Sequence, residues 1–208
     1  MRIDPSGWPF ILGALILALI GAFAVHPLAG VVLLVFSGFF LFFFRDPDRT
    51  ITRADKAVLS PADGRVMVAG APTAQGFPEA SWRQISIFLS PMDVHVNRMP
   101  VGGRVTRVKY HPGRFLPAYR ADAGDLNEFT EVSIDHGGHT IVVRQIVGIL
   151  ARRIVCRVKE GQTVEPGDRF GVMKFGSRMD VFVPKDTEIA VKVGDRVVGA
   201  VTVIATLP

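Results

Sequence analysis

The chain has 208 residues, of which 49% are apolar, with a single cysteine and a formal net charge of +5. That length allows one globular domain and a short appendage, and the lone Cys156 excludes an internal disulfide or a multi-cysteine metal site while leaving a reducing compartment allowed. The charge excess sits in residues 51–176, where 17 Lys/Arg face 12 Asp/Glu; with no helix-turn-helix pattern, zinc-finger spacing or aromatic-basic platform beside it, nucleic acid is not expected as a partner.

Trp8 to Val25 is an uncharged stretch of 18 residues, and Leu28 to Phe44 is one of 17, with only His26-Pro27 between them. Each reaches roughly 26 Å as a helix, just enough for a bilayer core of about 30 Å. The proline break predicts a tight helical hairpin over residues 1–50, with Trp8 at one interface. Arg45, Arg49, Arg53 and Lys56 follow the second run, which places both ends on the cytoplasmic side. A cleaved signal peptide fits poorly, because the second run follows at once. Whether the hairpin spans the cell membrane or dips into one leaflet stays open. A basic domain beside such an anchor suits an anionic membrane surface.

Residues 51–208 show no sustained helical period. Short β-branched runs predict strands instead: Arg65 to Val68, Gln84 to Leu89, Gly103 to Val108, Glu131 to Ile134 and Thr140 to Val147. Asp135-His-Gly-Gly-His139 between the last two signals a hairpin. A weak repeat relates Val158-Lys-Glu-Gly-Gln-Thr-Val-Glu-Pro-Gly-Asp-Arg-Phe-Gly-Val172 to Val191-Lys-Val-Gly-Asp-Arg-Val-Val-Gly-Ala-Val201, each of the form strand, Gly-Asp turn, strand. The expected fold is therefore mainly β, similar to the barrel-sandwich hybrid of biotinyl and lipoyl domains. Lys174 follows a methionine, as a carrier lysine would, but Phe175 breaks that motif. Cys156 lies in the strand-like run Arg153 to Val158 and reads as a small core residue.

Gly176-Ser177 carries almost no information as a bare dipeptide. Its company raises it. Ser60-Pro-Ala-Asp-Gly64 supplies an acid in a tight turn, and Ser90-Pro-Met-Asp-Val-His95 supplies a histidine. Acid, histidine and serine are the parts of an activated nucleophile. Glycine before the serine lets the hydroxyl approach the preceding carbonyl, because no Cβ blocks it.

Together these blocks resemble the phosphatidylserine decarboxylase family in its short bacterial and archaeal form. The likeness extends over Phe43-Phe-Arg-Asp-Pro47, Pro61 to Gly64, Ser90 to His95, Tyr110-His-Pro-Gly-Arg-Phe115, Asn127-Glu128, Gln145 to Ile154 and Phe175 to Ser177. The resemblance implies that Asp63 and His95 activate Ser177, whose Oγ attacks the Gly176 carbonyl in an N-to-O acyl shift. Elimination and hydrolysis would release ammonia and leave a pyruvoyl cofactor at position 177. The products would be a β chain, residues 1–176, and an α chain, residues 177–208, held as a heterodimer. The ketone would form a Schiff base with the amine of phosphatidylserine and act as the electron sink while carbon dioxide leaves. His95 would reprotonate the carbanion, giving phosphatidylethanolamine.

Longer bacterial members carry a second histidine where this chain has Arg98, so no role transfers from it. Arg98 is a candidate for the substrate carboxylate or phosphate, or else a solvated strand-end residue. Asp93 ranks behind Asp63 for orienting His95. His111 and Phe115 are tentative substrate contacts, and Phe115, Leu116 and Tyr119 form either an apolar lip or core. His136 and His139 flank a hairpin tip without carboxylate or cysteine companions, so no metal is expected. The resemblance leaves a homodimer open. It leaves archaetidylserine open as a substrate too, because the serine headgroup is the same. From a different class, a non-catalytic membrane-tethered binding module would make Gly176-Ser177 an ordinary turn. A membrane serine peptidase lacks a suitably spaced lysine base.

Overall fold

The computed structural model describes residues 1–149, 153–174 and 176–208. These divide into two compact units, Met1–Asp48 and Arg49–Pro208.

In the first unit, strand β1 (Arg2–Ile3) pairs antiparallel with β2 (Arg45–Asp46) at the foot of a helical hairpin. Helix α1 (Trp8–Ile20) runs on through a π turn over Gly21–Val25, and α2 (Pro27–Phe43) returns. His26 breaks the run as expected: its backbone is extended, and its Nδ1 caps α2 by accepting the Leu28 N–H at 3.2 Å. Pro27 follows at the first helical position, where its missing N–H costs nothing. Small residues let the helices touch. A Cβ on Gly30 would stand 2.9 Å from the Ala18 carbonyl oxygen, and Ser37 Oγ donates to the Ile11 carbonyl at 3.2 Å. Pro5–Val25 is 21 residues long and apolar enough to cross a bilayer, whereas Pro27–Phe43 is shorter.

The second unit is mainly β. Its strands are β3 (Ala57–Leu59), β4 (Gly64–Gly70), β5 (Trp82–Leu89), β6 (Val96–Arg98) and β7 (Gly103–His111). A one-turn helix, α3 (Ala123–Leu126), precedes β8 (Phe129–His136), β9 (His139–Ile146), β10 (Ile154–Cys156) and β11 (Thr163–Val164). The chain ends with β12 (Arg169–Met173), β13 (Ser177–Pro184), β14 (Glu188–Ile189), β15 (Arg196–Val197) and β16 (Val203–Thr206).

One sheet runs in the order β11-β7-β8-β9-β13-β5-β4-β15, and two smaller ones run β10-β12-β6 and β14-β16-β3. These orders contain a duplication. Replacing β6, β7, β8, β9, β10, β11 and β12 by β3, β4, β5, β13, β14, β15 and β16 converts each pairing of one half into a pairing of the other. Even the irregularities correspond: β4 bulges against β5 between Val66 and Val68, and β7 bulges against β8 between Val105 and Arg107. The sequence repeat covers β11 and most of β12 in one half and β15 in the other, and β11 and β15 close opposite ends of the long sheet. One half is thus inserted into the other between β5 and β13, and β9 pairs with β13 where the halves meet.

Alternation along these strands turns apolar side chains to one shared face. Ile85, Ile87 and Leu89 of β5, Val132 and Ile134 of β8, and Met179, Val181 and Val183 of β13 form the main core. Gly137 and Gly138 make the β8–β9 turn with φ of +60° and +90°, the two left-handed residues of a type I′ hairpin.

Candidate active site

The insertion forces the chain to cross between halves twice, from β5 to β6 and from β12 to β13. The crossovers lie side by side. The Met173 N–H donates to the His95 carbonyl at 3.3 Å, and the Gly176 N–H donates to His95 Nε2 at 3.4 Å. Two motifs 81 residues apart therefore meet because of the duplication.

Ser177 opens β13 opposite Leu89, on the core-facing side shared with Met179 and Val181. It is fully buried, and among the described residues its Oγ has no hydrogen-bond partner. Gly176 has φ +71°, a left-handed conformation that favours glycine, and open space where a Cβ would stand. The third member of that motif, Phe175, lies outside the described residues, as do positions 150–152 of the Gln145 to Ile154 block.

His95 is fully buried. Its Nδ1 lies 2.9 Å from the Asp93 carbonyl oxygen, which only accepts, so Nδ1 carries the proton. Nε2 then presents its lone pair, which receives the Gly176 N–H. This is the neutral tautomer that a base needs at Nε2.

The carboxylates fall differently from expectation. Asp93 lies in a turn before β6. Its Oδ2 accepts the Ser90 N–H at 2.8 Å and its Oδ1 is 3.5 Å from Arg196, so its backbone, not its side chain, holds the ring. Asp63 is engaged elsewhere. Arg49 donates to its Oδ2 at 2.7 Å and the Gly199 N–H to its Oδ1 at 2.8 Å, which locks the Pro61–Gly64 turn. That turn flanks β6, where the Arg98 N–H donates to the Pro61 carbonyl at 2.8 Å. Arg98 is only 5% exposed and donates to the Gly167 carbonyl at 3.3 Å, so it is no solvated strand end.

Behind Ser177, on the opposite face of β13, sits a buried polar group that sequence reasoning missed. Arg178 meets Asp180 through 2.6 and 2.9 Å contacts and donates to Ser86 Oγ at 3.1 Å. Gln84 donates to Asp180 at 3.1 Å and to Ser86 at 2.8 Å. A fourth Arg178 contact reaches the Arg120 carbonyl at 3.4 Å and tethers the 112–127 segment over this face.

That segment walls an apolar cavity of about 350 Å³ that opens at Gly176 and is lined by Phe88, Pro91, Pro117, Ala118, Tyr119 and Ile149. Tyr119 is 62% exposed and meets Phe88 edge-on at 6.1 Å, which makes it lip rather than core. Phe115 is exposed as well, outside the cavity wall. A larger cavity of about 640 Å³, between Ile51–Asp55 and Glu165–Asp168, touches no candidate residue.

His111, at the end of β7, stacks on Phe129 with ring centroids 4.3 Å apart, and its Nε2 is buried. Burial, then Lys109, pushes its pKa below the ordinary histidine value. It does not line the Gly176 cavity. His136 Nδ1 donates to the Gly102 carbonyl at 2.7 Å. Cys156 is half-buried against the main core, and burial raises its thiol pKa. Lys174 lies on a crossover between different sheets, not on a hairpin tip.

A buried histidine, a serine hydroxyl without a hydrogen-bond partner among the described residues and an apolar cavity meet at one peptide bond, an arrangement that suits an enzyme rather than a carrier domain. The chain belongs to the phosphatidylserine decarboxylase family, whose profile matches residues 36–205. It is similar to the phosphatidylserine decarboxylase proenzyme of Symbiobacterium thermophilum, with 45% identity over 98% of this chain and 94% of the relative. The proenzyme of the same name from Chlorobium limicola is 41% identical over 98% of this chain and 99% of its own length. That of Granulibacter bethesdensis is 42% identical over 98% and 84%.

Proposed function

We infer that this chain decarboxylates phosphatidylserine to phosphatidylethanolamine after cutting itself between Gly176 and Ser177. The observation that carries this reading is the meeting of His95 Nε2 with the Gly176 amide beside a buried Ser177 Oγ that has no hydrogen-bond partner among the described residues, in a chain matched to that family over most of its length.

In processing, Ser177 Oγ attacks the Gly176 carbonyl carbon and His95 Nε2 takes the hydroxyl proton. The peptide C–N bond breaks, so residue 177 gains a free amine and an ester joins it to Gly176. Loss of the 177 α-proton expels the Gly176 carboxylate. Water then replaces the nitrogen, ammonia departs and a ketone remains.

The residues suit a pyruvoyl group at position 177. β13 pairing fixes its backbone against Leu89, the hydroxyl that is consumed breaks no hydrogen bond among the described residues, and Gly176 opens onto the cavity. Such a group supplies an electron sink for an amine-bearing substrate. His95 returns a proton to the substrate carbon, held in place by the Asp93 carbonyl. The apolar cavity excludes water and receives the glycerol end of the lipid, with Tyr119 at its mouth.

The hairpin brings the domain to its substrate. Basic residues after α2 put both hairpin ends on the cytoplasmic face of the cell membrane, and the basic domain faces anionic lipid. The test is carbon dioxide release from vesicles containing phosphatidylserine or its archaeal glycerol-ether analogue. Release from the first supports the reading. No release from either serine phospholipid refutes it.

A further inference from the structure

Gly148, two residues past β9, stands against the bond that the proposed function cuts. It is buried, and a Cβ built on it would collide with the Gly176 carbonyl oxygen, standing 3.1 Å from the carbonyl carbon and 3.4 Å from Ala118 Cβ. Its φ lies outside the left-handed range, so backbone conformation does not demand glycine there. The space does.

The seat is braced on the Gly148 side. Asn127 Nδ2 donates to the Val147 carbonyl at 2.8 Å, and the Val147 N–H donates to the Glu128 carbonyl at 3.1 Å. Asn127 is itself buried and fixed by paired bonds to Leu116, at 2.9 Å through Oδ1 and 2.8 Å through Nδ2. The residue before Gly148 is therefore held through both of its backbone polar groups. Gly176, by contrast, has open space on its Cβ side. If the two groups were pressed apart, the scissile carbonyl would yield, because Gly148 is tied to the strand behind it.

We propose that Gly148 is a positioning residue for self-cleavage, forming the notch that seats the Gly176 carbonyl oxygen for attack by Ser177. This rests on the reading that Gly176-Ser177 is the bond cut. Attack turns a planar carbon tetrahedral and swings its oxygen, which needs room beside it. A Cα–H faces that oxygen where a side chain would otherwise stand, and such contacts weakly favour negative charge on oxygen. An added methyl would shift the carbonyl off the attack line, and misplacements of this size cost reactions about a hundredfold.

The experiment follows processing of the full-length chain in detergent, with and without neutral hydroxylamine, which cleaves the ester formed by the acyl shift. Wild type, Gly148→Ala, Asn127→Ala and the double variant are compared, and melting is measured in the Ser177→Ala background. The expected result is about hundredfold slower appearance of the short fragment in Gly148→Ala, no cleavage by hydroxylamine, and a retained cooperative melt. Asn127→Ala alone loosens the seat and slows processing. Added to Gly148→Ala it lets the turn back away, so the double variant cuts faster than Gly148→Ala, a compensation that purely structural damage would not give.

If Gly148→Ala has no cooperative melt, Asn127→Ala decides: slowed processing supports the seat, and an unchanged rate overturns it. Wild type that cuts while Gly148→Ala cuts as fast overturns the inference and leaves the proposed function standing. Wild type that stays whole sinks both.

Discussion

The Gly176 N–H points at His95 Nε2 from 3.4 Å, while the other ring nitrogen is held by the Asp93 carbonyl at 2.9 Å. The imidazole is thus oriented by backbone on both sides. The ring is thereby set beside the peptide bond between residues 176 and 177.

This relationship separates three substitutions. His95→Gln keeps the ring's volume roughly and removes the base, and processing should slow by about 10²- to 10⁴-fold. Asp93→Asn leaves the carbonyl in place, so cleavage should stay within a few-fold of wild type. Asp63→Asn should lower stability through Arg49 and Gly199, with cleavage falling only as far as folding does. Cleavage time courses beside thermal melts check all three. Loss of cleavage in a fully folded Asp63→Asn would restore Asp63 to a direct role.

Ser177→Ala should give a whole, inactive chain at little cost in stability. The hydroxyl is buried with no hydrogen bond among the described residues, so its removal strands no partner. Stability should stay within about 1 kcal/mol of an uncut wild-type reference, measured by denaturant unfolding.

Arg178 and Asp180 are fully buried together. Removing one partner strands the other charge, so Arg178→Met should cost about 3–5 kcal/mol. Arg178→Met with Asp180→Leu should recover much of that loss. Because Arg178 also tethers Arg120 at the lip, the recovered double variant should show a raised KM for lipid in vesicles, with cleavage intact.

His111 has a pKa depressed chiefly by burial. The unfolded chain therefore binds a proton more readily, and stability is lost as pH falls below the ordinary histidine value near 6.5. His111→Phe keeps the stack on Phe129 and removes the proton site. Melting temperatures at pH 7.5 and 5.5 should differ less in the variant than in wild type.

Much of this was readable in the residues, for physical reasons. Two uncharged runs split by His26-Pro27 admit little but a hairpin, and a Gly-Gly pair between alternating runs dictates a tight turn. The Val158 and Val191 repeat pointed to two related halves. It did not reveal that one half is inserted in the other, because strand pairing is set by contacts far apart in sequence. For the same reason the donors that Asp63 meets are not legible in the sequence: a carboxylate in a turn satisfies whichever donors the fold brings, here Arg49 and Gly199. Nothing in the sequence marks Arg178 and Asp180 as a buried pair, which depends on the elements that cover that face. Gly148 lies inside the Gln145 to Ile154 block, but nothing in the residues there says that it faces the Gly176 carbonyl.

The central claim is tested most directly by intact mass and amino-terminal analysis of the purified full-length protein. The account requires two chains, residues 1–176 and 177–208, the shorter headed by a ketone and refractory to Edman degradation. A single 208-residue chain in an active preparation, or a short chain headed by a free serine amine, would contradict it.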